Sequence, residues 1–318
     1  MKAIVLRAGE PGRDFQAMAG LFALEGDELA TEAEIVKALE TDGERIIQKA
    51  AVDAAGELLG FYWLYHSKLA AGRVFVSLIV KLEARRQGVG GALFADLEQV
   101  LAGTGAKSLR ADVKDSCPEC RAFAEQRGFG ELSHLVEFRL DLEKFDDAPY
   151  RGLIESLTGD GFEFTSLEAL GNTEEMQRRL FELNQANVID TMGSEGEPSW
   201  KDFDDFRQRV CSAAWYIPAG QMVVIDTATG KWAVMSAITR FEGQDYAYSL
   251  FTGVDRAYRG RQLGLAVKAA ALGYAREVLR VKEVRTHHLM KNWPILAIDR
   301  DMGYVALEGV YKLEKRLV

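Results

Sequence analysis

VKLEARRQGVGGA, residues 80–92, and VDRAYRGRQLGLA, residues 254–266, decide how this chain folds. Each is an apolar strand end, then four residues, then an Arg-rich turn that runs into a helical stretch. Arg259 stands 174 positions after Arg85. Downstream of each turn a helical segment closes on a Gly-aromatic pair: RAFAEQRGFG with Gly128 and Phe129, and ILAIDRDMGY with Gly303 and Tyr304, the two glycines 175 positions apart. Two unrelated turns can match by accident, but features that keep 43 and 44 residues between Arg and Gly in both halves mark duplicated units. Such a unit, about 150 residues long, is far beyond a solenoid repeat.

The rest of each unit reads alike. AIVLRA at 3–8 is a short β-like run followed by the helical pattern FQAMAGLFALEG, and FEFTSL at 162–167 precedes the helical TEEMQRRLFELNQANV. Three strand-like runs come next in each half. After the turn, ALFADLEQVLAG or LAVKAAALGYAREVLR reads as a helix, and SLRADV or EVRTHHL as a strand. This order predicts an α+β protein. The charged, turn-rich EKFDDAPYRGLIESLTGDG at 143–161, with a short amphipathic piece at LIESL, places the boundary near residue 145 and gives two domains, 1–145 and 146–318. A length of 318 residues suits two domains better than one.

Composition excludes several function classes. Hydrophobic residues make up 48% and charged residues 27%, enough to bury a sizeable core. The formal net charge of −9 argues against a protein that lives on nucleic acid or on an anionic membrane, although a local basic loop can still hold a phosphate. No run of about 18 apolar residues occurs. The three cysteines, Cys117, Cys120 and Cys211, are too few for a disulfide framework and point to a reducing compartment, so a cytoplasmic location is expected. Cys117 and Cys120 form a CxxC, which can be a redox pair or half a zinc site. SCPE also reads as a capping box of Ser116 with Glu119, with Pro118 in the first helical turn and two small buried thiols.

A strand that opens into a Gly-rich turn and then a helix leaves backbone N–H groups pointing at one spot, where the helix dipole adds positive charge. Gly88, Gly90 and Gly91 let a phosphate approach the main chain, and Arg85 and Arg86 add cationic donors. The whole string, with its helix, strand and final Gly-aromatic pair, resembles the acetyl-CoA-binding core of the GNAT acetyltransferase superfamily. Arg85, Gly88 and Gly90 satisfy the family's pattern of Arg or Gln, two residues, Gly, one residue, then Gly or Ala. Because both units carry the resemblance, the chain looks like a tandem GNAT, in length and layout similar to the mycothiol-synthase-like members. The resemblance implies two domains, each a mostly antiparallel mixed sheet with a splayed central strand pair flanked by helices, and it implies acetyl-CoA as cofactor.

On that resemblance the pyrophosphate site comprises Arg85, Arg86, Gln87, Gly88, Val89, Gly90, Gly91 and Ala92 in the first unit. In the second it comprises Arg259, Gly260, Arg261, Gln262, Leu263, Gly264, Leu265 and Ala266. The splayed strands that would face the pantetheine arm are Leu78, Ile79 and Val80, and Thr252 to Val254. Gln262 departs from the pattern, standing where the first unit has Gly88. If that position needs positive φ or a bare main chain, Gln262 weakens phosphate binding; if helical φ suffices, only its side chain must swing away.

Acetyl transfer to an amine needs a neutral amine, stabilisation of the developing oxyanion and a proton for the departing thiolate. Many GNATs supply that proton from a Tyr four residues before the Gly-aromatic pair, with an Asn seven residues earlier still. This chain has Ala124 and Cys117 there in the first unit, and Asp299 and Asn292 in the second. Asp299 is read either as an acid, which requires a raised pKa, or as a structural or substrate-orienting group. His287 and His288 end the strand VRTHHL, where a base would sit, and strand alternation lets only one face the cleft; His288 is the candidate. The acidic stretches LEGDEL at 24–29 and DTMGSEGEP at 190–198 suit a cationic amine, or are ordinary surface loops. Phe61, Tyr62, Trp63, Tyr65, Tyr246 and Tyr248 read as core and cross-strand packing.

The function expected is acetyl-CoA-dependent N-acetylation of a small-molecule amine, with no nucleic-acid or membrane partner and no bound metal, by a monomer or homodimer. CoA is expected to bind tightly in the first unit and chemistry to occur in the second. Two other readings stay open: a partly degenerate CoA-binding regulatory module, and an aminoacyl-tRNA-dependent transferase.

Overall fold

The computed structural model describes residues 4–26, 28–68, 70–189 and 200–317. In chain order the first half contains β1 (Val5–Arg7), α1 (Phe15–Glu25), α2 (Glu32–Asp42), β2 (Ile46–Val52), β3 (Leu58–His66), β4 (Arg73–Val80), α3 (Val89–Leu101), β5 (Ser108–Lys114), α4 (Pro118–Glu125) and β6 (Gly130–Asp141). The second half contains α5 (Ala148–Gly159), β7 (Phe162–Ser166), α6 (Glu174–Ile189), α7 (Phe203–Phe206), β8 (Gln221–Asp226), β9 (Lys231–Thr239), β10 (Ala247–Val254), α8 (Leu263–Glu277), β11 (Glu283–Leu289), α9 (Trp293–Met302) and β12 (Val305–Arg316). The α+β class and the duplicated order hold.

The two compact units are Met1–Leu132 with Val310–Val318, and Ser133–Gly309. This division differs from a cut at 145 by one strand on each side. In the first unit β1, β2, β3 and β4 run antiparallel in sequence, β5 joins β4 in parallel, and β12 closes the sheet antiparallel to β5, with Leu313 opposite Ala111. In the second, β7, β8, β9 and β10 are antiparallel, β11 joins β10 in parallel, and β6 closes the sheet antiparallel to β11, with Val136 opposite His288. Because β6 and β12 occupy the same place in the repeat, periodicity gives either of them equal claim to either sheet. Each pairs with a strand from the other half of the chain.

Strand alternation sorts the core. On β3 the buried Phe61 and Trp63 pack towards α1 and α2 with Phe15, Met18, Phe22 and Ile35, while Tyr62 and Leu64 face α3 with Leu93, Phe94 and Leu97. Burying one such side chain contributes about 1.5–3 kcal/mol. α1 begins at Asp14, whose carboxylate, 1% exposed, turns away from the helix amides. It accepts Arg7 Nη1 at 2.5 Å and Glu10 N at 2.9 Å, tying β1 to the helix.

The stretch around LIESL is a full helix, α5, rather than a short amphipathic piece in a linker. Pro149 sits in its first turn, Asp146 accepts the Ala148 N–H at 3.0 Å, and Leu157 packs against Leu263 and Val267 of α8. No described helix is long and apolar enough to cross a membrane.

Candidate functional site

Both Arg-rich turns have the same backbone. Val80 and Val254 end their strands, and the arginine five residues on folds back: Arg85 Nε donates to Val80 O at 3.2 Å and Arg259 Nε to Val254 O at 3.1 Å. Two positive φ values follow, Arg86 at +60° and Gly88 at +89° in the first unit, Gly260 at +78° and Gln262 at +61° in the second. Each turn therefore holds one glycine and one side-chain-bearing residue in left-handed backbone, in opposite order. The question about position 262 is answered: it takes positive φ, and its side chain is exposed.

Gly88 and Gln262 are the N-caps of α3 and α8, and neither helix has a side-chain cap. The first intrahelical bonds run from Ala92 N to Gly88 O and from Ala266 N to Gln262 O, both at 3.0 Å. Ala92 and Ala266 thus spend their amides on the helix. The N–H groups of Val89, Gly90 and Gly91, and of Leu263, Gly264 and Leu265, precede that ladder and can meet an anion. Gly90 and Gly264 are also packing glycines, since a Cβ would lie 3.2 Å from the Phe123 ring in one case and 3.0 Å from Val254 Cγ2 in the other. Among the cations, Arg86 is exposed, whereas Arg85 also pairs with Glu119 at 3.2 Å. Arg261 lies with its guanidinium 5.5 Å from the Tyr258 ring, and Gln87 Nε2 donates to Glu83 O at 2.7 Å.

The expected splay is present in both units. β4 pairs with β5 only through Arg73–Ser108, Val74–Leu109 and Phe75–Arg110, and β10 pairs with β11 only through Ala247–Val284 and Tyr248–Arg285. Beyond those pairs the strands part, leaving the main chain of Leu78, Ile79 and Val80, and of Thr252, Gly253 and Val254, beside the opening. Leu78 and Val80 pack towards α3 and Ile79 towards α1, so main-chain groups are what this edge offers.

In the second unit a polar cluster lies on the α8–α9 face of this opening. His288 Nε2 meets Asp299 Oδ2 at 2.8 Å, and Lys268 Nζ meets Asp299 Oδ1. Asp299 and Lys268 are each 1% exposed. Thr286 Oγ1 lies 3.4 Å from His288 Nε2 while donating its own proton to Ser249 O at 3.0 Å. A carboxylate only accepts, and Thr286 has its proton committed, so both neighbours of Nε2 are acceptors. The neutral imidazole therefore carries its hydrogen on Nε2 and leaves Nδ1 as the lone-pair nitrogen. The Phe138 ring lies 5.9 Å from the imidazole, and Lys268 Nζ is 4.7 Å from the Tyr304 ring. Burial, the larger influence, pulls the Lys268 ammonium down from the usual lysine range, and Asp299 opposes it. The buried Tyr304 phenol is pushed well up by burial and by Asp299.

Of the three catalytic candidates the structure brings His288 and Asp299 together. Asn292 is the N-cap of α9 without a side-chain capping bond, and no described hydrogen bond joins it to them. His287 faces the other side of the strand, where its Nδ1 meets the Tyr248 hydroxyl; burial and the neighbouring His288 lower its pKa. Of the two acidic stretches, 190–198 lies outside the described residues. Sequence reasoning missed Lys268 and Thr286. The only signal for Lys268 was a lone charge in the apolar run LGLAVKAAALG.

The first unit has no counterpart of this cluster among its described residues. The positions matching Lys268, Asp299 and Tyr304 are Phe94, Ala124 and Phe129, packed in one apolar cluster with the Phe94 and Phe129 rings 6.2 Å apart. Its CxxC differs from the capping-box reading. Cys117 and Cys120 are joined in a disulfide, and Cys117, not Ser116, is the N-cap of α4, with no side-chain capping bond. Glu119 and the two sulfurs lie within 4.8 Å of one another, but bonded sulfurs offer no thiolate to a metal, and Glu119 is paired with Arg85.

Residues 16–129 match the acetyltransferase (GNAT) family. Over 242 residues, 76% of this chain and 73% of the relative, the sequence is 26% identical to a mycothiol acetyltransferase of Mycobacterium sp. (strain JLS), and equally to that of strain MCS. Among solved structures, a GCN5-related N-acetyltransferase from Sphaerobacter thermophilus superposes with a TM-score of 0.64 at 18% identity, covering 98% of this chain and 95% of that one. A tandem GNAT protein from the clavulanic acid biosynthesis pathway gives a TM-score of 0.56 at 19% identity, covering 99% and 98%.

Proposed function

We propose that this chain, whose residues 16–129 match the GNAT acetyltransferase family and whose fold is that of a tandem GNAT protein, is an acyltransferase that transfers an acetyl group from acetyl-CoA to the amine of a small molecule, with the chemistry in the second unit. The observation that carries this reading is the His288–Asp299 pair at 2.8 Å beside the parted strands β10 and β11, at positions where the first unit is apolar.

Acetyl-CoA, when bound, supplies the acetyl group activated as a thioester. The residues that fit it are the open amides of Val89, Gly90 and Gly91 with the Arg86 guanidinium, and in the second unit the amides of Leu263, Gly264 and Leu265. The parted edges at 78–80 and 252–254 suit the extended arm of the cofactor. His288 accepts at Nδ1 the proton that an attacking amine must lose, and Asp299 holds the ring by Nε2. Asp299 is thus the orienting group of the two alternatives left open by the sequence. The first unit, with glycine at 88 and an apolar cluster in place of the Lys268, Asp299 and Tyr304 side chains, serves as the tighter CoA-holding half.

Calorimetric titration of acetyl-CoA, read for stoichiometry, together with turnover on a panel of small amines, tests the proposal. Binding at one or two sites per chain and thiol release with at least one amine are expected. His288→Gln is expected to lower turnover about 10²-fold or more while leaving CoA affinity unchanged. No CoA binding by the intact chain would sink the reading.

A further inference from the structure

Lys268 holds a charge where the helix has least use for one. It sits in the apolar run LGLAVKAAALG of α8, 1% exposed, and its ammonium is directed at Asp299. Among the described residues, the ionisable groups that act on it are Asp299 from α9 and Tyr304 just beyond α9, with His288 of β11 behind the carboxylate. The duplication supplies a control for what this lysine does. The first unit closes around the same position with Phe94, Ala124 and Phe129, which form no ion pair; the cations there, Arg127 and Lys315, lie over the Phe94 ring at 5.4 and 5.1 Å. A buried ion pair adds little stability over an apolar filling of that kind, so packing does not explain why the second unit carries one.

We propose that Lys268 is the positioning residue of the His288–Asp299 pair: its ammonium keeps the carboxylate ionised and offsets that carboxylate's pull on a second imidazole proton, so that His288 stays neutral, Nε2-protonated and able to take an amine proton at Nδ1. This deepens the acetyl-transfer reading and rests on it. The step it serves is a single proton transfer, from the nitrogen of the attacking amine to Nδ1, with no change at Nε2.

The test is an NMR titration of the His288 imidazole in the full chain, assigned with His288→Gln, comparing the native protein with Lys268→Met. Without the ammonium, Asp299 has only the imidazole to pair with. The pH at which His288 takes up its second proton should then rise by about one unit or more. The acid limb of kcat/KM should move up with it, while the rate at high pH stays within a few-fold. A midpoint that stays put or falls overturns the proposal, as does a rate loss that is even across pH, which is what a merely structural lysine would give. If Lys268→Met does not fold, Lys268→Phe with Asp299→Ala installs the residues that the first unit already packs. Imidazole nitrogen shifts should then change from a single Nε2-protonated tautomer to a mixture, and an unchanged tautomer overturns the proposal. Because the titration needs no turnover, a raised midpoint in a chain that acetylates no amine would fail the acetyl-transfer reading while upholding the electrostatic role of Lys268.

Discussion

At position 262 a glutamine side chain hangs from backbone with φ +61°, the conformation that glycine takes at position 88 with φ +89°. Left-handed backbone costs a side-chain-bearing residue roughly 1–2 kcal/mol. Gln262→Gly should therefore stabilise the protein by about 1 kcal/mol, read as a higher urea midpoint at unchanged slope, and should strengthen any anion held by the α8 amides. Gly88→Gln should do the reverse. A Gln262→Gly variant no more stable than the parent would mean that the glutamine side chain makes up for its backbone. The cost was not legible from sequence, because the φ of a non-glycine residue is set by the turn it must close. Asp299 stood out as a departure from a motif, and His288 as a strand-end histidine. Their ionic partner Lys268 was hidden because it lies 31 positions before Asp299 and only the packing of α8 on α9 brings them together.

Elements whose signal is local were read correctly. The alternation of β3, the helices after each turn and the parting of β4 from β5 all follow from periodicity and from the resemblance. α5 was underestimated, since its charged start looks like linker until Arg276 of α8 is seen meeting Asp147. α4 was misread because a capping box and a bonded cysteine pair share the spelling SCPEC. Two alkylation counts check that element: the denatured, unreduced chain should expose one thiol, Cys211, and the reduced chain three. In the folded protein Cys211 should alkylate slowly, because burial pushes its thiol up to about 11. The β1–α1 junction gives a pH prediction. Arg7 and the Glu10 amide outweigh the desolvation that would raise Asp14, so its folded pKa is depressed. A depressed carboxylate stabilises the fold above its unfolded value, about 4, and that stability is lost as the pH falls through the folded value. Asp14→Asn should cost about 2 kcal/mol at neutral pH and flatten this acid limb of the stability curve. An unchanged limb would show that the Arg7–Asp14 pair is not what sets it.

On the scale of the molecule, the second unit, Ser133–Gly309, is one continuous piece of chain and the first is not. The first needs Val310–Val318 for the strand beside β5, where Leu313 is 1% exposed and Glu314 meets Arg110 at 2.8 Å. A fragment ending at 145, the boundary that composition suggests, lacks that strand and leaves the β5 edge bare. It should aggregate or remain partly unfolded by circular dichroism, and residues 1–132 joined through a flexible linker to 305–318 should fold better. Equal stability of the two would remove β12 from the first unit's needs. The repeat was legible because its turns carry glycine and arginine at fixed spacing; the strand exchange was not, because two equivalent strands cannot be told apart by pattern. That exchange also bears on how the protein is born. Glu314 of β12 is translated 204 positions after its β5 partner Arg110, and at about 5–20 residues per second some tens of seconds separate the two strands. The half of the protein made first must wait, with one sheet edge open, for the half made last.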